Sequence, residues 1–93
     1  EMLYCATRSN ERTEALMNRL IDMIYDRSDT EGKSKLTRGQ KSWLQYRDLN
    51  CIWQGDKYRS HDTKAQTEVM ECQAMTTSER VEELQAWLAK MGN

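Results

Sequence analysis

The sequence predicts an all-α fold, a small bundle of three to four helices stapled by a disulfide, and three observations lead there. Proline and phenylalanine are absent, while Glu, Lys, Arg, Gln, Leu, Met and Ala dominate, the residue types that favour helices. Apolar residues recur at three-to-four spacing and never alternate with the period of a strand over a useful length. Two cysteines, Cys51 and Cys72, flank a polar stretch that a bond between them would close into a loop. The 93 residues predict one domain, 1–93. With 38% hydrophobic residues and a mean hydropathy of -0.95, its core is thin, so a covalent staple carries a large share of the stability.

The first helix is predicted from about Met2 to Arg27. Leu16, Leu20 and Ile24 form one stripe with Met17 and Ile21 beside it, which gives the helix a single apolar face. Ser28 followed three residues later by Glu31 has the form of a capping box. A second helix therefore starts there and runs through Leu36, Gln40, Trp43, Leu44, Arg47 and Cys51. Gly32 and Gly39 each weaken it by up to about 1 kcal/mol relative to Ala, so tertiary packing has to make up the difference. The polar run from Gln54 to Lys64, with its Gly-Asp turn signal, is predicted as a loop. A third helix follows from about Asp62 to Met75. Thr76 with Glu79 repeats the capping-box pattern, and Val81, Leu84, Leu88 and Met91 form a stripe that ends at Gly92. The third and fourth helices are alternatively one bent rod.

Charge and composition exclude several function classes. The formal net charge is -1, with lysines and arginines interleaved among acids, so no polyanion-binding surface is implied and nucleic acid is not an expected partner. The longest apolar run is five residues, Met2 to Ala6, too short for a membrane span. No positively charged start followed by an apolar stretch is present at Glu1, so for an exported protein the signal is expected to have been removed. No Cys-x-x-Cys pair, second histidine or carboxylate cluster at ligand spacing supports a metal site, and no cofactor is expected. Catalysis would need a thiolate near His61 with an orienting group, and the cysteines are better used in a bridge, so no nucleophile is assigned.

Closing the loop between Cys51 and Cys72 restricts the unfolded chain by about 3 kcal/mol on the chain-entropy view. Two unrelated buried thiols are the alternative. Cys5 is the odd cysteine: a free thiol, a link between two chains in a homodimer, or the partner of a cysteine upstream of Glu1.

The stretch from Leu36 to Cys51 resembles the signature of the LprI-type lysozyme inhibitor domain. Gln40, Trp43, Tyr46, Arg47, Asp48 and Cys51 match that signature in type and spacing. A second block, Met70-Glu-Cys72 followed by Met75-Thr76, Arg80 and Glu83-Leu84, is similar to the family's closing segment, and together the blocks reach from about Leu36 to Leu88. At the start, Glu1-Met2 with Cys5 looks like the family's Glu-Met-x-x-Cys, whose cysteine has its partner further upstream; the chain is then a trimmed form or lacks that first bridge. The resemblance implies a helical periplasmic or surface protein that inhibits a peptidoglycan hydrolase. An immunity protein against a wall-degrading toxin and a non-inhibitory envelope scaffold are the alternatives.

Trp43 falls on the apolar stripe and is expected in the core. Arg47 and Asp48, one turn before Cys51, are expected to satisfy neighbouring helix ends and buried carbonyls. Tyr46 joins either face, and Trp87 lies one position off its stripe. The predicted target contacts are Trp53, Lys57, Tyr58, Arg59 and His61, because aromatic and cationic residues are enriched at binding hot spots and a tethered segment loses less entropy on binding. A solvated connector is the other reading of this segment.

Overall fold

The computed structural model describes residues 2–56 and 63–92, with side chains for 8, 10–56 and 64–92. These residues form three helices, α1 (Met2–Asp26), α2 (Thr30–Gly55) and α3 (Thr63–Lys90), and no strand is present among them. The 28 residues of α3 span about 42 Å at the helical rise, which accounts for most of the 47 Å long axis of the molecule. Its radius of gyration, 15.1 Å, exceeds the roughly 12 Å of a compact domain of this length. The fold is a rod with much surface for its mass.

The α1–α2 turn is built by two adjacent polar residues that serve different helices. Ser28 looks back, its hydroxyl donating to the Ile24 carbonyl at 2.7 Å, while the Arg27 and Ser28 amides bond to the Ile24 and Tyr25 carbonyls and tighten the last turn of α1. Asp29 caps α2, its Oδ1 accepting from the Gly32 amide at 2.7 Å. The predicted Ser28/Glu31 capping box is therefore not formed. Glu31 instead pairs with Lys35 at 2.9 Å along the exposed helix. The Thr76/Glu79 box is overturned as well, because both residues lie inside a continuous α3. No Gly or Pro interrupts that helix, and α2 packs across the junction.

The α1 and α3 helices run in parallel, since Arg27 beyond the end of α1 donates to the Gly92 carbonyl beyond the end of α3. Both α1 and α2 pack mainly on α3 and touch each other little. The core consists of Met17, Leu20 and Ile24 from α1 with Val81 and Leu84 from α3; Ile21, Leu36, Trp43, Leu44 and Leu88 lean on it. Leu16, predicted on the α1 stripe, is exposed, because the face that meets α3 is centred on Met17. Met91 is also exposed, in the turn after α3. Gly92 has φ 73°, the left-handed value that ends a helix at glycine.

Cys51 and Cys72 form a disulfide that joins α2 to α3, with Cα atoms 5.4 Å apart. One turn later, Gly55 is buried against α3: a Cβ there would stand 2.5 Å from Val69 Cγ2. The helix continues past the predicted loop start at Gln54, and this missing side chain lets its last turn close on α3.

Reduction, or the Cys51→Ser/Cys72→Ser variant, is expected to lower unfolding stability by about 3 kcal/mol, read from thermal melts with and without reductant; an unchanged melt would contradict a stabilising bridge. The glycines separate backbone propensity from packing. Gly39→Ala meets nothing within 4 Å and should gain up to about 1 kcal/mol, whereas Gly55→Ala should destabilise the fold in urea titrations because the stiff Val69 has to move.

Candidate functional site

Helical geometry sorts the α2 side chains. Gln40, Arg47, Cys51 and Gly55 are buried and fall on one face, while Tyr46, Leu49 and Trp53 point outward, at 61%, 70% and 65% exposure. The inward row is a polar seam. Arg47 is buried and reaches both neighbours: Nη1 donates to Glu14 Oε1 of α1 at 2.5 Å and to Thr77 Oγ1 of α3 at 3.2 Å, while Nε donates to Asp48 at 2.8 Å. Asp48 also accepts from Gln73 of α3 at 3.2 Å. These partners are side chains, not the helix ends and carbonyls expected from the sequence. Burial pulls the Arg47 pKa down, but the hydrogen bonds and charges of Asp48 and Glu14 outweigh it, and the guanidinium is held above the ordinary arginine value. A base raised in this way loses its contribution only as pH climbs through that raised value, so Arg47 keeps its charge through the neutral range.

Two turns earlier, Gln40 makes the second crossing. Its Oε1 accepts from Arg80 Nε at 3.2 Å and Nη2 at 2.9 Å, and its Nε2 lies 3.4 Å from Met17 Sδ. Arg80 continues to Glu83 at 2.5 Å. The half-buried Trp43 stands between the two guanidinium groups, Arg47 at 5.6 Å and Arg80 at 5.3 Å from ring centroids, and Arg80 also lies 5.0 Å from Trp87. Cations at such distances are attracted by the ring quadrupole. Trp87 is thus a partly exposed flank of this stack.

Outside the seam, α2 and α3 leave an open groove of about 500 Å³. Its α2 wall carries Trp43, Tyr46, Asn50 and Gln54; its α3 wall carries Glu68, Glu71, Met75, Glu79 and Glu83, and the Cys72 side of the disulfide lines it. Sequence reasoning missed this surface. Its signal was present as acids recurring at three-to-four spacing along α3, which only become a wall once α2 is docked beside them. Of the predicted contact residues, Trp53 sits exposed in the last turns of α2, whereas Lys57, Tyr58, Arg59 and His61 lie outside the described residues. Among the described residues no group of three or more His, Cys, Asp or Glu could hold a metal ion.

Residues 1–84 match the family described as Lysozyme inhibitor LprI. The chain belongs to this lysozyme inhibitor family. No curated protein and no solved structure matches it. Within this family member, the signature residues Gln40, Trp43, Arg47, Asp48 and Cys51 all engage α3 or its stack, while Tyr46, with the edge of Trp43, lines the groove.

Replacing Arg47 with Met should cost about 2 kcal/mol, the scale of charged hydrogen bonds lost at a partly solvated site, and Arg47→Lys should recover only part of it because a single ammonium cannot reproduce the fork. A double-mutant cycle with Glu14→Gln checks the assignment; additive losses would show that the two side chains are not coupled.

Proposed function

We propose that this protein binds and inhibits a lysozyme-like peptidoglycan hydrolase in the periplasm or at the cell surface, acting by occlusion of the substrate cleft and not by catalysis. The family match over residues 1–84 carries the reading. Two features support it. Disulfides persist in oxidising compartments, which suits the Cys51–Cys72 bridge to a place outside the cytosol. No helix among the described residues is long and apolar enough to cross a membrane.

The contact is proposed to include Trp53 and, following it in the chain, Lys57, Tyr58, Arg59 and His61. Glycoside hydrolases of this kind work with paired carboxylates in a cleft, and a cationic segment anchored beside an aromatic residue is chemically matched to it. The Cys51–Cys72 bridge joins the two helices between which this segment lies in the chain.

The purified protein should slow lysis of a peptidoglycan suspension at a near-stoichiometric dose of enzyme. Absence of inhibition across several lysozyme types would reject the reading. Lys57→Glu/Arg59→Glu should weaken inhibition about tenfold or more without altering the melt, as expected when charges facing a carboxylate cleft are reversed.

A further inference from the structure

The exposed face of α2 is unusual for so polar a chain. Tyr46, Leu49 and Trp53 recur along it at helical spacing, all more than half exposed, and Met75 of α3, at 67% exposure, extends the same surface across the groove. Clustered exposed apolar side chains mark interaction sites more often than scattered ones do. What distinguishes this surface is the charge beside it. Glu68, Glu71 and Glu79 make no ion pair among the described residues. Among the described residues of the lining the one cation is Arg80, which is buried and already committed to Gln40 and Glu83.

Aromatic surface on the α2 wall, facing an α3 wall where Met75 lies among carboxylates that are unpaired among the described residues, is chemistry that suits long cationic side chains. Their methylene stems pack on apolar groups while their heads meet carboxylates. An acidic partner segment would be repelled, and a purely apolar one would leave the carboxylates desolvated without compensation. The seam beneath the groove is fixed by a disulfide and by hydrogen bonds among all three helices, so the walls are held at their spacing before any partner arrives.

We infer that the α2–α3 groove is a docking surface for an Arg- or Lys-bearing surface segment of the inhibited hydrolase, with stems on Tyr46 and Met75 and cationic heads at Glu68, Glu71 and Glu79. This rests on the inhibitor reading and adds a second contact to it, of opposite sign to the Lys57 and Arg59 segment. Two oppositely charged contacts on one rod would also fix the orientation in which the enzyme docks.

The test uses the full chain with two probes: a lysozyme-type hydrolase, and a pair of matched amphipathic peptides, one Arg/Leu and one Glu/Leu. The basic peptide should shift the NMR signals of Tyr46, Asn50, Glu71, Met75 and Glu79, with affinity falling as salt is raised, and the acidic peptide should not. Glu71→Lys/Glu79→Lys, both at exposed positions, should weaken peptide binding and enzyme inhibition about tenfold or more with an unchanged melt; Glu71→Gln/Glu79→Gln should weaken both less. Inhibition by the charge-reversed variant equal to that of the wild type, or basic-peptide shifts lying elsewhere, would overturn the groove proposal. A wild-type chain that binds the basic peptide in the groove yet inhibits no hydrolase would overturn the hydrolase as occupant and the inhibitor reading with it, leaving the preference for basic segments standing.

Discussion

Arg47 carries a charge into the place where the three helices meet, and burying that charge is tolerable only because each neighbour answers it: Glu14 from α1, Thr77 from α3, and Asp48 beside it. This requirement fixes the rotation of α2. Once Arg47 faces inward, Cys51 one turn later faces α3 and can meet Cys72, and Gln40 two turns earlier meets Arg80. The same rotation sends Tyr46, Leu49 and Trp53 to the opposite side. The exposed apolar face is thus a consequence of the buried polar one.

A seam of this kind suits a thin core. Among the described residues five apolar side chains form the buried cluster, and helices held by so little hydrophobic surface could slide or rotate against one another. Directional groups restrict that freedom. The fork of Arg80 on Gln40, the Arg47 crossing and the Trp43 stack each accept one register and penalise a slip by one residue, while the disulfide limits the separation of α2 and α3. Stability and specificity are here supplied by different contacts, with leucine and methionine providing the first and the polar seam much of the second.

Rigidity gained in this way bears on the proposed inhibition. A rod whose faces are fixed loses little conformational entropy when a partner docks, so weak individual contacts add to useful affinity. The acidic α3 wall and the cationic residues that follow Trp53 in the chain differ in sign. On a protein of net charge -1, the overall charge offers little attraction to any partner, so the proposed docking relies on these local charge patterns for strength and orientation.

Much was written in the sequence itself. Residue types and three-to-four periodicity determined the helices, because these preferences act within a few turns, and cysteine spacing together with the signature around Gln40, Trp43 and Arg47 determined the bridge and the family. Tertiary structure decided the rest. Ser28 and Asp29 are adjacent and chemically alike, so the division of labour between them depended on the path of the turn. Leu16 and Met17 fit the same period, and only the docking of α3 sent one outward. Thr76 and Glu79 spell a helix start, yet α3 runs through them because α2 lies across that turn. The groove belongs to this second group: each wall is a stripe on a different helix, and no local preference records that Tyr46 and Glu79 face one space until packing against α3 has brought them there.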